Sequence, residues 1–208
     1  METPPFGMSL LYCITYAEVN KPRHSGFTLV ELLIGISVSL ITLAGIYSLF
    51  QSQQVAFSNQ EQLNEMNQNI RAAMDLMARE VRLAGYKTET AASIGIYDAQ
   101  PTIIKFKADI DQDGSILGDT EDVTYSYDVN TLRICRNGVS LPLAENITNL
   151  TFVYTLADGT TTSNPGSLDN IRKVRISITA RTKYPDPSTG QYRTFTLSSD
   201  VTPRNLIS

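Results

Sequence analysis

Hydrophobic and polar positions divide this chain into three regimes. From Phe27 to Phe50 every residue is apolar or small and polar, except for one charge at Glu31. A helix over this stretch, at about 1.5 Å per residue, reaches roughly 36 Å, enough to cross a hydrocarbon core with some tilt. After Phe50 the apolar positions thin out to one face. Leu63, Met66, Ile70, Met74, Met77, Val81 and Ala84 recur at steps of three and four, with Gln, Asn, Glu, Arg and Asp between them. That spacing predicts an amphipathic helix laying a stripe on a folded body. Proline is absent from Phe27 to Ala84 and glycine occurs only at Gly35 and Gly45. One unbroken helix of about 58 residues, roughly 87 Å long, is therefore expected. Gly85 is placed to end it as the C′ residue. Met66, Met74 and Met77 fall on the stripe and read as core packing rather than as a ligand set.

Beyond Tyr86 the period drops to two. Thr102–Lys107, Asp122–Asp128, Thr131–Arg136, Asn149–Leu156, Arg172–Arg181 and Tyr192–Leu197 alternate or are rich in β-branched and aromatic residues, as strands are. Asp128-Val129-Asn130 and Arg136-Asn137-Gly138 have hairpin-turn composition. Thr160–Asp169 and Lys183–Gly190 read as exposed loops. The sum is an α+β fold: a long N-terminal helix packed on an antiparallel sheet of about five to seven strands.

Charge adds an orientation and a puzzle. Lys21, Arg23 and His24 precede the apolar run, which sets the N-terminal side in the cytoplasm and the rest outside. A carboxylate on a membrane helix costs from about 2.5 kcal/mol at the bilayer centre, and less near an end. No basic residue follows Glu31 within a turn, so a free α-amine at a newly made N-terminus is the expected partner. The Gly26–Phe27 bond is the natural place to make it.

The segment Lys21–Ile36, with Ser25-Gly26-Phe27-Thr28-Leu29-Val30-Glu31 at its centre, resembles the prepilin cleavage and methylation motif of type IV pilins and type II secretion pseudopilins. The resemblance implies a prepilin peptidase that cuts after Gly26 and methylates Phe27. It also implies that Glu31 pairs with the amine of a neighbouring subunit during assembly. Met77-Ala78-Arg79-Glu80-Val81-Arg82-Leu83-Ala84-Gly85-Tyr86 is similar to the helix end of PilW-type and PulJ-type minor pilins, with Glu80, Arg79 and Arg82 read on the solvated face. Thr202-Pro203-Arg204-Asn205-Leu206 resembles the C-terminal end of the same proteins.

These readings give a domain plan. Residues 1–26 form a leader removed by the peptidase, and residues 27–50 form the transmembrane and assembly helix. Residues 51–208, including the second half of the helix, form a periplasmic pilin domain. Met1–Glu18 fits a leader poorly, because Met8–Ala17 adds a second apolar stretch before the basic insert. A start at Val19 would give an ordinary short leader. Processing at Gly26 removes Cys13 and His24, leaving Cys135 alone and no histidine. An intramolecular disulfide, Ser/His or Cys/His nucleophilic arrangements and the usual zinc sites are then excluded, and no enzyme activity is expected. The net charge of −4, with no basic stripe past the leader, gives no sign of nucleic-acid binding.

One segment carries possible metal chemistry. Asp109, Asp111 and Asp113 alternate and are followed by Gly114, the front half of an EF-hand-like calcium loop. Ser115 can add its carbonyl, and Asp119 and Glu121 complete the candidate set. The place for the bidentate Glu is held by Thr120, with Glu121 one position late, and the flanks read as strands. A calcium loop between strands is expected, against a simple acidic turn. The expected role is a minor pilin of a type IV pilus, held in the bacterial inner membrane and built into the filament, where it helps initiate or cap assembly beside other pilin subunits. The alternatives are a J-like minor pseudopilin of a type II secretion system and a membrane-anchored calcium-binding domain that never assembles.

Overall fold

The computed structural model describes residues 26–86, 95–115, 120–138 and 142–206. Helix α1 runs Leu29–Leu83, 55 residues, or about 82 Å. The chain divides into two units at Phe50. In the first unit every described residue is solvent-exposed, and the helix is long and apolar enough to cross a membrane. Three of its hydroxyls are satisfied within the helix. Ser37, Ser39 and Thr42 donate to the carbonyls of Leu33, Gly35 and Val38 at 2.8, 2.7 and 2.9 Å. Nothing polar on these side chains then needs water inside a bilayer.

Among the described residues, the second unit holds the rest of α1 and nine strands: β1 Ile96–Ala99, β2 Ile103–Lys107, β3 Asp122–Asp128, β4 Arg133–Arg136, β5 Pro142–Ala144, β6 Ile147–Leu156, β7 Thr161–Thr162, β8 Ile171–Arg181 and β9 Thr194–Val201. They form two antiparallel sheets rather than the single one expected, in the orders β1-β2-β3-β4-β5 and β7-β6-β8-β9. The chain changes sheet at Glu145-Asn146, where Asn146 takes φ 57°. The seam is closed by hydrogen bonds. The Phe152 amide donates to the Pro101 carbonyl at 2.7 Å and the Ile147 amide to the Leu132 carbonyl at 2.9 Å. The Tyr154 hydroxyl donates to the Gln100 carbonyl at 3.0 Å, and that of Tyr127 to the Ile147 carbonyl at 3.1 Å.

The predicted stripe is the core. Met66, Ile70, Met74, Met77, Val81 and Ala84 are buried together with Ala73, and Leu63 packs at the margin. They join Ile104, Phe106, Val123 and Ile134 of the first sheet and Leu150, Phe152, Val174, Ile176 and Ile178 of the second. Gly85 ends the helix at φ +78°, the left-handed geometry that favours glycine at C′. Its amide donates to the Lys107 carbonyl at 3.0 Å, and the Tyr86 carbonyl accepts from the Asp109 amide at 3.0 Å. The helix end is thus sewn to the end of β2. The C-terminal segment gains a role here. The Arg204 amide donates to the last-turn carbonyl of Arg82 at 3.3 Å. Leu206 lies so close to Gly95 that a Cβ there would meet its Cδ2 at 2.1 Å.

Glu80 departs from its expected place on the solvated face. It is 7% exposed and its Oε2 accepts from the Tyr125 hydroxyl at 2.5 Å and from Arg136 Nε at 3.0 Å. Burial first, and then the bond to Glu80, push the Tyr125 hydroxyl well above the usual phenol range. Arg79 and Arg82 are exposed as expected. Removing Arg136 leaves a buried carboxylate without its cation. Arg136→Ala is expected to cost about 3 kcal/mol, and Tyr125→Phe about 1–2 kcal/mol. Urea melts of the full chain measure both. An Arg136→Ala loss below about 0.5 kcal/mol, the scale of ordinary surface substitutions, would show that this triad does not hold the helix to the sheet.

Candidate functional site

The first site is the start of α1. Phe27 is 86% exposed, and among the described residues nothing lies within 4 Å of a Cβ built on Gly26. Both residues that flank the bond are exposed. Thr28 is the N-cap of the helix. The Glu31 amide donates to Thr28 Oγ1 at 3.2 Å, while Glu31 Oε2 accepts from the Thr28 amide at 3.1 Å and from its hydroxyl at 3.0 Å. This reciprocal arrangement is a capping box. Besides the α-amine expected as its partner, the Glu31 carboxylate thus has neutral donors at hand in its own chain, and it lies where the helix dipole favours an anion. The Thr-x-x-Glu spacing was the signal for it. The box supplies no positive charge, and among the described residues no ion pair includes Glu31. Phe27, Glu31, Leu32, Gly35, Ile36 and Ser39 line one shallow groove on the same helix face. Gly35 opens it to backbone depth, with nothing within 4 Å of a Cβ built there.

The second site is the loop between β2 and β3. Its flanks are strands, as the sequence implied. Asp109, Asp111, Asp113 and Glu121 each bring one carboxylate oxygen into a cluster whose atoms all lie within 4.8 Å of one another. Asp109 and Glu121 are each 1% exposed, and Asp111 and Asp113 are exposed. The loop is shaped by its own side chains. The Gly114 amide donates to Asp109 Oδ2 at 3.2 Å, the Asp113 amide to Asp111 Oδ1 at 3.2 Å, and the Ser115 amide to Asp113 Oδ1 at 2.7 Å. Gln112 and Gly114 take positive φ, 64° and 87°, which turns successive carboxylates inward. Glu121, displaced by one place from the EF-hand pattern, nonetheless reaches the cluster. Asp119 lies outside the described residues. An all-oxygen, carboxylate-rich set suits a hard cation such as calcium.

The loop is positioned from three sides. The Asp109 amide is held by Tyr86 at the end of α1, and the Ala108 amide donates to the Glu121 carbonyl at 3.1 Å. Arg136, already paired with Glu80, donates through Nη2 to the Thr120 carbonyl at 3.2 Å. Sequence reasoning missed Glu80 and Arg136 in this role, because an amphipathic helix gives no hint that one of its charges faces the sheet. Cys135 is buried, and burial pushes its thiol up, so it is a structural thiol and a poor nucleophile.

Comparison with known proteins agrees with the first site and covers most of the second unit. The prokaryotic N-terminal methylation motif matches residues 21–47. The model of prepilin peptidase-dependent protein B matches residues 59–199, more than half of the chain. No curated protein and no solved structure matches. With a methylation motif at the head of an apolar helix and the family's own domain following it, the chain belongs to the prepilin peptidase-dependent protein B family and is a type IV pilin-like protein.

Proposed function

We propose that this protein is a minor pilin of a type IV pilus, a structural subunit that helps initiate or cap the filament. The observation that carries the reading is the start of α1. An exposed Gly26–Phe27 bond precedes a capped helix whose apolar first part carries a single carboxylate, Glu31, with no cationic partner among the described residues. Prepilin peptidase cuts after Gly26 and methylates Phe27. The residues before the cut are the leader, residues 27–50 anchor the subunit in the inner membrane, and the remainder stands in the periplasm. On assembly the Phe27 amine of one subunit meets Glu31 of the next. In the low-dielectric interior of a helix bundle that pairing is strong enough to set register. A J-like pseudopilin of a type II secretion system uses the same device and differs only in the machine that is joined.

The capping box supplies a discriminating test. Glutamine at the same place keeps the cap, since an amide oxygen accepts as a carboxylate oxygen does, but it removes the charge. Glu31→Gln is therefore expected to be processed normally yet to disappear from sheared filaments, as is Glu31→Ala. Intact mass of the parent from the same fraction should give a chain beginning at methylated Phe27. Incorporation of Glu31→Gln at parental levels would reduce Glu31 to a helix cap and leave a membrane-anchored domain that does not assemble through this residue.

The β2–β3 loop we assign to calcium, held by Asp109, Asp111, Asp113 and Glu121, with the Ser115 carbonyl and Asp119 as further candidates. Four crowded carboxylates, two of them buried, repel one another until a cation joins them. Calcium at a hundredfold over its Kd is worth about 2.7 kcal/mol, or roughly 5–10 °C in Tm for a domain of this size. Thermal melts of the mature chain should show that rise with calcium and lose it in Asp111→Asn/Asp113→Asn, whose altered side chains are exposed. Equal melting with calcium and with a chelator would make the loop a plain acidic turn.

A further inference from the structure

A polar groove runs beside β1, outside both sites described above. It consists of two clefts, of about 830 and 440 Å³, within the range of ligand sites. Tyr97, Gly166 and Leu168 line both clefts and so join them. One wall is the chain from Gly95 to Pro101 and the other is the loop from Asn164 to Asn170. Leu206, which lines the larger cleft, also packs over Gly85 and Gly95. The groove therefore sits at the end of the globular unit where α1 stops.

Its chemistry is selective. Tyr97 is 41% exposed, yet its hydroxyl donates to Asp122 Oδ1 at 2.5 Å. The ring is thus a platform fixed at its far end. Around it stand the side chains of Ser167, Asn170 and Asn205, which hold both donors and acceptors and make no hydrogen bond to other described residues. Charge is balanced: Lys105 pairs with Asp98 at 3.3 Å, and Arg172 stands in the same cleft as Asp169. An anion or a cation finds no excess of the opposite sign. An added peptide strand is also poorly served. β1 has only four residues and its register shifts between Ile96 and Asp98, both devices that blunt an edge. The carbonyls of Gln100 and Pro101 are already taken by the Tyr154 hydroxyl and the Phe152 amide.

We infer that this groove binds a neutral oligosaccharide, whose apolar ring face stacks on Tyr97 while its hydroxyls bond to Asn170, Asn205 and Ser167. The aromatic ring supplies the apolar contact that a sugar face needs, and the amides match hydroxyls that donate and accept at once. A chain of sugars, rather than one, suits two clefts in line.

The test uses the full mature chain in a detergent without a sugar headgroup. Maltotetraose, cellotetraose, xylotetraose and tetra-N-acetylchitotetraose are titrated by calorimetry and by saturation-transfer NMR. At least one is expected to bind. Tyr97→Ala should weaken it about tenfold or more, Asn170→Ala a few-fold, and Tyr97→Phe, which keeps the ring, less than Tyr97→Ala. Thermal melts establish that the variants are folded. Glu31→Gln should bind the same sugar as the parent, so the outcome stands apart from the assembly reading. No binding of any of the four, binding unchanged in Tyr97→Ala, or displacement of the sugar by an extended decapeptide would each overturn the proposal.

Discussion

The burial of one helical stripe against two sheets is the contact on which the globular unit depends. Met66, Ile70, Met74, Met77 and Val81 present a continuous apolar line, and side chains from both sheets converge on it. Each fully buried residue of this size stabilises by roughly 1.5–3 kcal/mol relative to exposure, so the stripe outweighs any ion pair in the structure. Methionine suits the position. Its flexible thioether fills the irregular gap where two sheets meet a cylinder. The hydroxyls of Tyr127 and Tyr154 then seal the seam between the sheets without leaving polar groups stranded.

The same helix carries the opposite pattern in its first part. Leu29, Leu33, Ile36, Leu40, Leu43, Tyr47 and Phe50 are all more than half exposed. An uninterrupted apolar surface of this length is not stable against water and requires lipid or other helices to cover it. Glu31 is the single charge on that apolar stretch, and its capping box with Thr28 gives it neutral donors.

Much of this was legible in the sequence because it is written in periodicity. The stripe from Met66 to Ala84, the break at Gly85 and the strands Asp122–Asp128 and Ile171–Arg181 all follow from spacing and residue type, and the structure places them within a residue or so. The division into two sheets was not legible. Nothing in Glu145-Asn146 distinguishes a hairpin from a change of sheet, since both need a tight turn. The short strands Ile96–Ala99, Pro142–Ala144 and Thr161–Thr162 carry too few residues to show a period. Glu80 was misplaced for a different reason. Helical spacing puts it at the edge of the polar face, and only Tyr125 and Arg136, more than forty residues away, draw it inward. The acidic loop was visible as a pattern, but the contribution of Glu121 needed the fold, because a residue one place out of register reaches the cluster only when β3 brings it there.

That buried triad also explains how a loop far from the helix in sequence is held in place by it. Arg136 donates to Glu80 on α1 and to the Thr120 carbonyl beside Glu121. The Asp109 amide is anchored on Tyr86, just past the helix end. Both buried carboxylates of the acidic cluster, Asp109 and Glu121, are therefore fixed in their main chain by groups that exist only when the stripe is packed. A carboxylate cluster assembled this way costs repulsion, and that cost must be met by the packing that positions it or offset by a cation that joins it. The main chain is held at Asp109 and Thr120, whereas Asp111 and Asp113 lie on the exposed arc of the loop and accept its own backbone amides. The geometry thus divides the cluster: the fold fixes two buried carboxylates, and the loop's own turns shape the exposed two.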